Sequence, residues 1–573
     1  MPLFGSLYKL FAFLVRYTRH IRHAHLLGAG VLVAAVASGV ANTALIALVN
    51  QVINADGPGR GSLLPVFLGI CVAFPAMRYA GDALLIHLTE AATLHLRMTL
   101  SSRILAVPLR KLEELGAGRL TTLLLNDLPA VIGAMTLIPL LCLNVTIVLG
   151  SLVFMGLLSG KMLLGVLVFL VAGIVAYQVP LMRGHVHNQA LREKGDELFG
   201  HVQSLTLGTK ELKLHQERRR TFLEERLRGT AVEVQTHGVA AQRAFSSAVS
   251  WGQVLIFLLI GVVVFALPSV APVSRPVLTG FTFAILYMVG PIQVVLNSMA
   301  QLSRAVTAMD RVEKIGLELA EAARPEPRLP PPGAQEAGWT SLELDGVTHT
   351  YFSERDGSTF TLGPVHLSFR PGEIVFVTGG NGSGKTTFAK LLTGLYTPES
   401  GEVRLDGVPV GEERMARYHS LFSVVFSDFH LFDTLLGLER DGLDADAGHY
   451  LTELQLDHKV RVEGGRLSTT DLSQGQRKRL ALLTAYLEDR SIYLFDEWAA
   501  DQDPHFKEIF YHQLLPGLRA AGKTVFAISH DDRFYSVADR LIKLEYGRVV
   551  HDSRPGGLPP VEAALAGAGA PGG

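Results

Sequence analysis

The run EIVFVTGGNGSGKTTFAKLL, starting at Glu373, has the residue types needed to hold a polyphosphate. An apolar, strand-like segment stops at Thr378. Gly379, Gly380, Asn381, Gly382, Ser383, Gly384, Lys385 and Thr386 then match GxxxxGK followed by Ser or Thr, and Thr387 leads into a helical pattern. Glycines let backbone N–H groups approach phosphate oxygens closely, and the start of the helix adds partial positive charge. A lysine at this spacing reaches the β- and γ-phosphates, while the Thr386 hydroxyl suits a Mg²⁺ ligand. The expected chemistry is nucleoside triphosphate binding, with ATP and Mg²⁺ as cofactors.

A second element can supply the rest of a hydrolytic reaction. In SIYLFDEWAADQD, an apolar strand carries Asp496 and Glu497 to its carboxyl end. Asp496 is placed as a metal carboxylate, and Glu497 as the base that takes a proton from an attacking water. A buried strand ahead of the pair distinguishes it from ordinary surface charge.

Between these elements lies DLSQGQRKRLALLTAYL. Its Leu472-Ser473-Gln474-Gly475-Gln476 resembles the signature of ABC transporters, usually LSGGQ, with Gln474 in place of the first glycine. The resemblance implies that Ser473, Gly475 and Gln476 engage ATP held by the phosphate loop of a second copy. It also implies that Tyr351 stacks on adenine and that Asp503 ends a D-loop altered from SALD. His530, in FAISHDD, becomes the switch histidine aimed at the γ-phosphate.

The segment SVVFSDFHLF, Ser423 to Phe432, departs from the common pattern. Ser427-Asp428 stands where the family places a glutamine that helps bind Mg²⁺. Ser427 still offers an oxygen ligand, and Asp428 would add negative charge near the γ-phosphate. Together with FDEWAADQD and ISHDD, this variant looks like a bacterial subgroup related to cyclic-peptide and siderophore-peptide exporters. The resemblance implies retained ATPase activity with altered metal and coupling chemistry.

The elements around these residues fall into two halves. Residues 1–317 hold six apolar runs, near 26–49, 63–88, 130–156, 162–181, 246–267 and 277–300, each able to cross a bilayer. Residues 318–338 read as a proline-rich linker, 339–553 as an α/β domain, and 554–573 as a low-complexity, disordered tail. The expected fold class is an α-helical transmembrane domain with six helices, the ABC exporter fold by resemblance, fused to an α/β P-loop nucleotide-binding domain. The first 25 residues suggest an amphipathic or solvated helix rather than a cleavable signal.

Charge sets the expected topology. Short loops carry Arg60, Lys161 and Arg275, whereas loops 89–129 and 182–245 are long and basic. The positive-inside rule then places the long loops, both termini and the nucleotide domain in the cytoplasm. Intramembrane polar groups are path candidates. Arg78 and Asp82 sit one turn apart, which also suits mutual neutralisation. Gln293, Asn297 and Gln301 form a stripe that either lines a cavity or bonds neighbouring helices. Gly118-Arg119 and Lys210-Glu211 lie in loops expected to press on nucleotide domains.

Composition narrows the classes further. Lys plus Arg total 52 against 53 Asp plus Glu, and only 18% of residues are charged, so no nucleic-acid partner is expected. Mean hydropathy is +0.29, in keeping with a bilayer environment. Cys71 and Cys142 both sit in apolar runs, which suits buried small residues. The combined expectation is a homodimer in the bacterial inner membrane that exports a cyclic or modified peptide, or a peptide siderophore. A lipid or multidrug exporter of the same architecture and a membrane-anchored regulatory ATPase are the rival readings.

Overall fold

The computed structural model describes residues 24–54, 62–266, 273–324, 338–352 and 359–554, with Phe13 and Pro268. The N-terminal helix, most of the proline-rich linker and the tail lie outside the described residues. Two compact units form: Met1–Ser101 with Gly118–Leu317, and Ser102–Ala117 with Glu318–Gly573.

The described residues of the first unit are almost all helical. Among them six helices are long and apolar enough to cross a membrane: His25–Asn54, Leu64–Ala106, Ala117–Leu158, Gly160–Leu207, Gln216–Ala266 and Arg275–Ser298. Large apolar side chains such as Val72, Leu157 and Phe265 are exposed along them, as helices facing lipid require. Contacts between these helices use small residues. A Cβ on Gly39 would come within 2.7 Å of Thr146, and one on Gly150 within 2.6 Å of Thr43. Such steps bring helices Ala24–Asn54 and Leu137–Leu158 close together. Polar links add specificity: Asn54 Nδ2 donates to Thr279 Oγ1 at 2.8 Å, and the Tyr287 hydroxyl donates to Asn42.

The basic stretch KELKLHQERRRTFLEERL is helical, and from Gln216 it runs on into the apolar helix that ends at Ala266. Helix Gly160–Leu207 stops at Gly208, a short helix Thr209–Leu214 follows, and His215 breaks the path before Gln216–Thr221. His215 takes extended backbone, at φ −125° and ψ 99°. Lys210-Glu211 therefore sits on a separate, exposed turn.

The second unit centres on a six-stranded sheet. Its strand order is Arg548–Ser553, Arg540–Glu545, Ile374–Thr378, Thr524–Ile528, Ile492–Asp496, Phe422–Val425. The first pair is antiparallel and the others parallel. Strands Ile374–Thr378, Ile492–Asp496 and Thr524–Ile528 are buried at every position, which explains their unbroken apolar runs. A four-stranded antiparallel sheet contains Leu342–Phe352 and Thr359–Phe369. Parallel strands send their carboxyl ends to one edge, where an open α/β sheet forms its ligand crevice. The phosphate loop, Asp496, His530 and Ser427 all follow such ends.

Candidate nucleotide site

The loop after strand Ile374–Thr378 needs its glycines. Gly379 has φ +152°, and a Cβ there would lie 2.1 Å from the Leu544 carbonyl oxygen. Gly384, at φ +101°, turns the chain into helix Lys385–Leu392. This places loop N–H groups and the helix start around one cradle. The Lys385 side chain is 6% exposed, and its Nζ donates to the carbonyls of Gly379 and Gly380 at 3.0 and 3.1 Å. Burial lowers its pKa, partly offset by the Glu497 and Asp496 charges. A cation held this close to its own loop is ready for exchange onto phosphate oxygens.

Strand Ile492–Asp496 lies two places away in the sheet, separated by Thr524–Ile528. Asp496 is only 1% exposed. Thr386 Oγ1 donates to its Oδ2 at 3.1 Å, and Ser427 Oγ approaches the same oxygen at 3.5 Å. Asp496 Oδ1 is buried without a hydrogen-bond partner. Burial raises the Asp496 pKa above the usual carboxylate range. Two hydroxyls and an unpaired carboxylate oxygen form a hard-oxygen set of the kind Mg²⁺ takes beside phosphates and water.

Glu497 follows in left-handed backbone, φ +50°. That conformation is costly for a residue with a side chain. It aims the carboxylate back at the loop. Glu497 Oε1 lies 3.0 Å from His530 Nε2 and 3.9 Å from Lys385 Nζ. Lys385, Thr386, Asp496, Glu497 and His530 therefore converge. A cavity of about 270 Å³, lined by Glu497, Ser529 and His530 among others, opens beside them.

The signature segment behaves differently. Ser473 caps helix Gln474–Glu488 and exchanges hydrogen bonds with Gln476, at 3.4 and 3.3 Å. Ser473 is exposed, and Gln502 Nε2 donates to the Gly475 carbonyl at 2.9 Å. A Cβ on Gly475 would meet the Asp501 carbonyl at 2.7 Å, so the D-loop presses directly on this turn.

Two family profiles match this chain. "ABC transporter transmembrane region" covers residues 27–214, and "ABC transporter" covers residues 362–500. Among curated relatives, "ATP-binding protein SyrD" of Pseudomonas syringae pv. syringae is 36% identical over 523 residues. That alignment spans 90% of this chain and 92% of the relative. The chain belongs to the ABC transporter family. An "ATP-dependent lipid A-core flippase" of Dechloromonas aromatica is 28% identical over 521 residues, 86% of this chain and 85% of its own. One from Alkalilimnicola ehrlichii is 32% identical over 286 residues, covering 47% of this chain and 46% of the relative. This ABC transporter is thus an ATP-hydrolysing membrane protein of the export type, with one helical and one P-loop domain.

Three residues packed around the site, Lys478, Arg479 and Tyr535, escaped the sequence reading. Lys478 is 3% exposed; its Nζ donates to the Glu497 carbonyl at 2.8 Å and pairs with Asp501 at 2.7 Å. It ties the signature helix to the backbone of Glu497. Arg479 pairs with Asp503 at 2.5 Å and packs over Phe506. Asp503 itself caps helix Pro504–Ile509 through Phe506 N at 3.0 Å. Tyr535 OH and Thr378 Oγ1 share a 2.7 Å hydrogen bond at the foot of the phosphate loop. Tyr351, half-buried, meets His349 and Tyr396 edge-on at 5.2 and 5.8 Å.

The membrane candidates separate into two places. Gln293 and Asn297 line a cavity of about 240 Å³ with Gln178 and apolar walls that include Phe169 and Leu255. Gln301 is exposed and is not part of that lining. Arg78 and Asp82 form a 3.8 Å ion pair, each about half exposed, beside a smaller recess that Ser38 also lines.

Proposed function

We propose that two copies of this chain form an exporter in a bacterial inner membrane, carrying a cyclic or modified peptide or a peptide siderophore outward. One observation carries the two-copy reading. Lys385, Thr386, Asp496, Glu497 and His530 converge within one chain, while Ser473 and Gly475 are bound up with Gln476 and Gln502 on an exposed edge. That edge suits the ATP held by a second copy.

In this reading Tyr351 stacks on adenine, and the loop from Gly379 to Thr387 wraps the phosphates. Lys385 moves from its loop carbonyls to the β- and γ-oxygens. Thr386, Asp496 and Ser427 hold Mg²⁺, for which the unpaired Asp496 Oδ1 is suited. When bound, that ion screens the phosphate charge. Glu497 Oε1 takes a proton from the attacking water, and His530 holds the Glu497 carboxylate in line. Closure of the second copy's Ser473-Gly475-Gln476 edge and Asp503-capped loop excludes solvent. Closure then turns the membrane cavity outward, and hydrolysis resets it.

The cargo reading rests on the amides. Gln178, Gln293 and Asn297 in an otherwise apolar wall can pair with peptide N–H and C=O groups. Arg78 and Asp82 line a separate recess and Gln301 lies outside the cavity lining, so the cargo reading does not rest on them. The lipid reading keeps some support from the apolar wall and from likeness to the flippases. Uptake into inverted vesicles separates them. A labelled cyclic peptide should accumulate with ATP in wild type and not in Glu497→Gln. Movement of a headgroup-labelled lipid alone would overturn the peptide reading. Accumulation of neither, with hydrolysis intact, would favour a regulatory ATPase.

A further inference from the structure

Lys478 is buried and takes no part in the proposed handling of ATP. It lies one turn into helix Gln474–Glu488, the helix that Ser473 caps. Its side chain is 3% exposed, and an ammonium is costly to bury unless charge and hydrogen bonds answer it. Two groups do so, the Asp501 carboxylate at 2.7 Å and the Glu497 carbonyl at 2.8 Å. The second contact is the informative one. Glu497 stands in left-handed backbone, at φ +50°, where a residue with a side chain is strained. The Ala500 N–H also reaches its carbonyl, at a longer 3.3 Å. The bond from Lys478 is shorter and charge-assisted.

Lys478 holds the next residue as well. Trp498 Nε1 donates to the Lys478 backbone carbonyl at 2.8 Å, and the indole stacks on Phe510 at 4.3 Å. One residue of the signature helix therefore anchors both Glu497 and Trp498. The altered D-loop strengthens this tie. Asp501 and Gln502 stand where the SALD pattern has Ala and Leu. Asp501 pairs with Lys478. Gln502 Nε2 donates to the Gly475 carbonyl at 2.9 Å, and its Oε1 accepts from Arg479 Nε at 2.9 Å. Both departures thus bond to helix Gln474–Glu488, and one of them orients the lysine that reaches Glu497.

We propose that Lys478 is a positioning residue for hydrolysis: oriented by Asp501, it holds Glu497 in the left-handed turn that aims its carboxylate at His530. This rests on the reading of Glu497 as the general base. Without the ammonium, the Glu497 carbonyl loses its shorter bond and the strained turn relaxes. The carboxylate then leaves its place 3.0 Å from His530 Nε2. ATP affinity is spared, because the phosphate loop turns on its own glycines and on Lys385.

The test measures kcat, KM and equilibrium ATP binding on the full chain in lipid nanodiscs. Lys478→Met should lower kcat by about 10- to 100-fold, the loss that a misplaced catalytic group brings, with ATP affinity within about three-fold of wild type. Lys478→Arg keeps the charge and the donor, and should recover part of kcat. Once Glu497→Gln is present, adding Lys478→Met should lower kcat by no more than about two-fold further, because both changes act through one carboxylate. Asp501→Ala alters a side chain that is 45% exposed, and so guards against misfolding of the methionine variant. It should lower kcat by about three- to ten-fold. Wild-type kcat in Lys478→Met, or in Asp501→Ala should the former not fold, overturns the inference and leaves the base reading standing. So do equal losses of affinity and kcat, which would mark a structural role, and losses that multiply in the Glu497→Gln background. Wild-type turnover in Glu497→Gln itself overturns the base reading and this inference with it.

Discussion

Replacing Glu497 with Gln should lower ATP turnover by about 10²- to 10⁴-fold, the range that a positioned general base contributes. ATP affinity should stay within a few-fold of wild type. The reason is geometric. Glu497 Oε1 is the acceptor that meets His530 and approaches Lys385, whereas in the proposed reading the phosphate contacts fall to the loop and to Lys385, whose Nζ donates to the Gly379 carbonyl. Glutamine keeps the shape and the left-handed backbone and removes only the proton acceptor. Single-turnover hydrolysis and equilibrium ATP binding would be measured together. Equal losses in both would show that Glu497 holds the site together rather than serving as its base.

Asp496→Asn should change stability and activity in opposite directions. Burial raises the Asp496 pKa above its unfolded value, with the Glu497 and Asp428 charges adding to the effect. Thr386 and Lys385 pull it back only in part. A raised folded pKa means that the favourable, protonated contribution is complete below the unfolded pKa and is lost as pH rises through the folded one. The cost of burying the charged carboxyl in the nucleotide-free protein therefore grows as pH rises. Asparagine removes it, so the melting temperature without ATP or Mg²⁺ should rise near pH 7.5. The gain should shrink as pH falls towards the carboxylate range. ATP hydrolysis should fall by about 100-fold or more, because the proposed metal ligand is gone. Thermal melts at pH 5 and 7.5, alongside ATPase assays, check both signs. A lower melting temperature at neutral pH would make Asp496 a structural residue first.

Much of the site could be read locally because its residues sit at the ends of buried strands. Strand Ile492–Asp496 is apolar until Asp496, and Thr524–Ile528 is apolar until just before His530. The phosphate loop needs its glycines at fixed spacing, and the six apolar runs needed only length and composition. Other features depended on distant partners. Lys478 reads as a solvated lysine on an amphipathic helix, and only Asp501 and the Glu497 carbonyl justify its burial. Nothing local marks Tyr396 or Glu113, because the two meet across 283 positions of chain. The loop 89–129 was legible as one that presses on a nucleotide domain, and Ser102–Ala117 of it groups with that domain, but which side chains make the contact was not. The break at His215 was hidden by a helical charge pattern on both sides. Asp503 was legible as an acidic D-loop residue but not as the cap of Pro504–Ile509.

Mixed pairs measure most directly whether one copy's signature edge completes the other's ATP site. One tagged chain would carry Lys385→Ala and the other Ser473→Arg, with both tags used to purify the mixed pair. If the sites form across copies, the two lesions fall in the same site and leave the other whole. The mixed pair should then trap a single nucleotide with vanadate and hydrolyse ATP, while each variant alone does neither. A mixed pair as inactive as its parents would place both lesions in separate sites and contradict the shared seam.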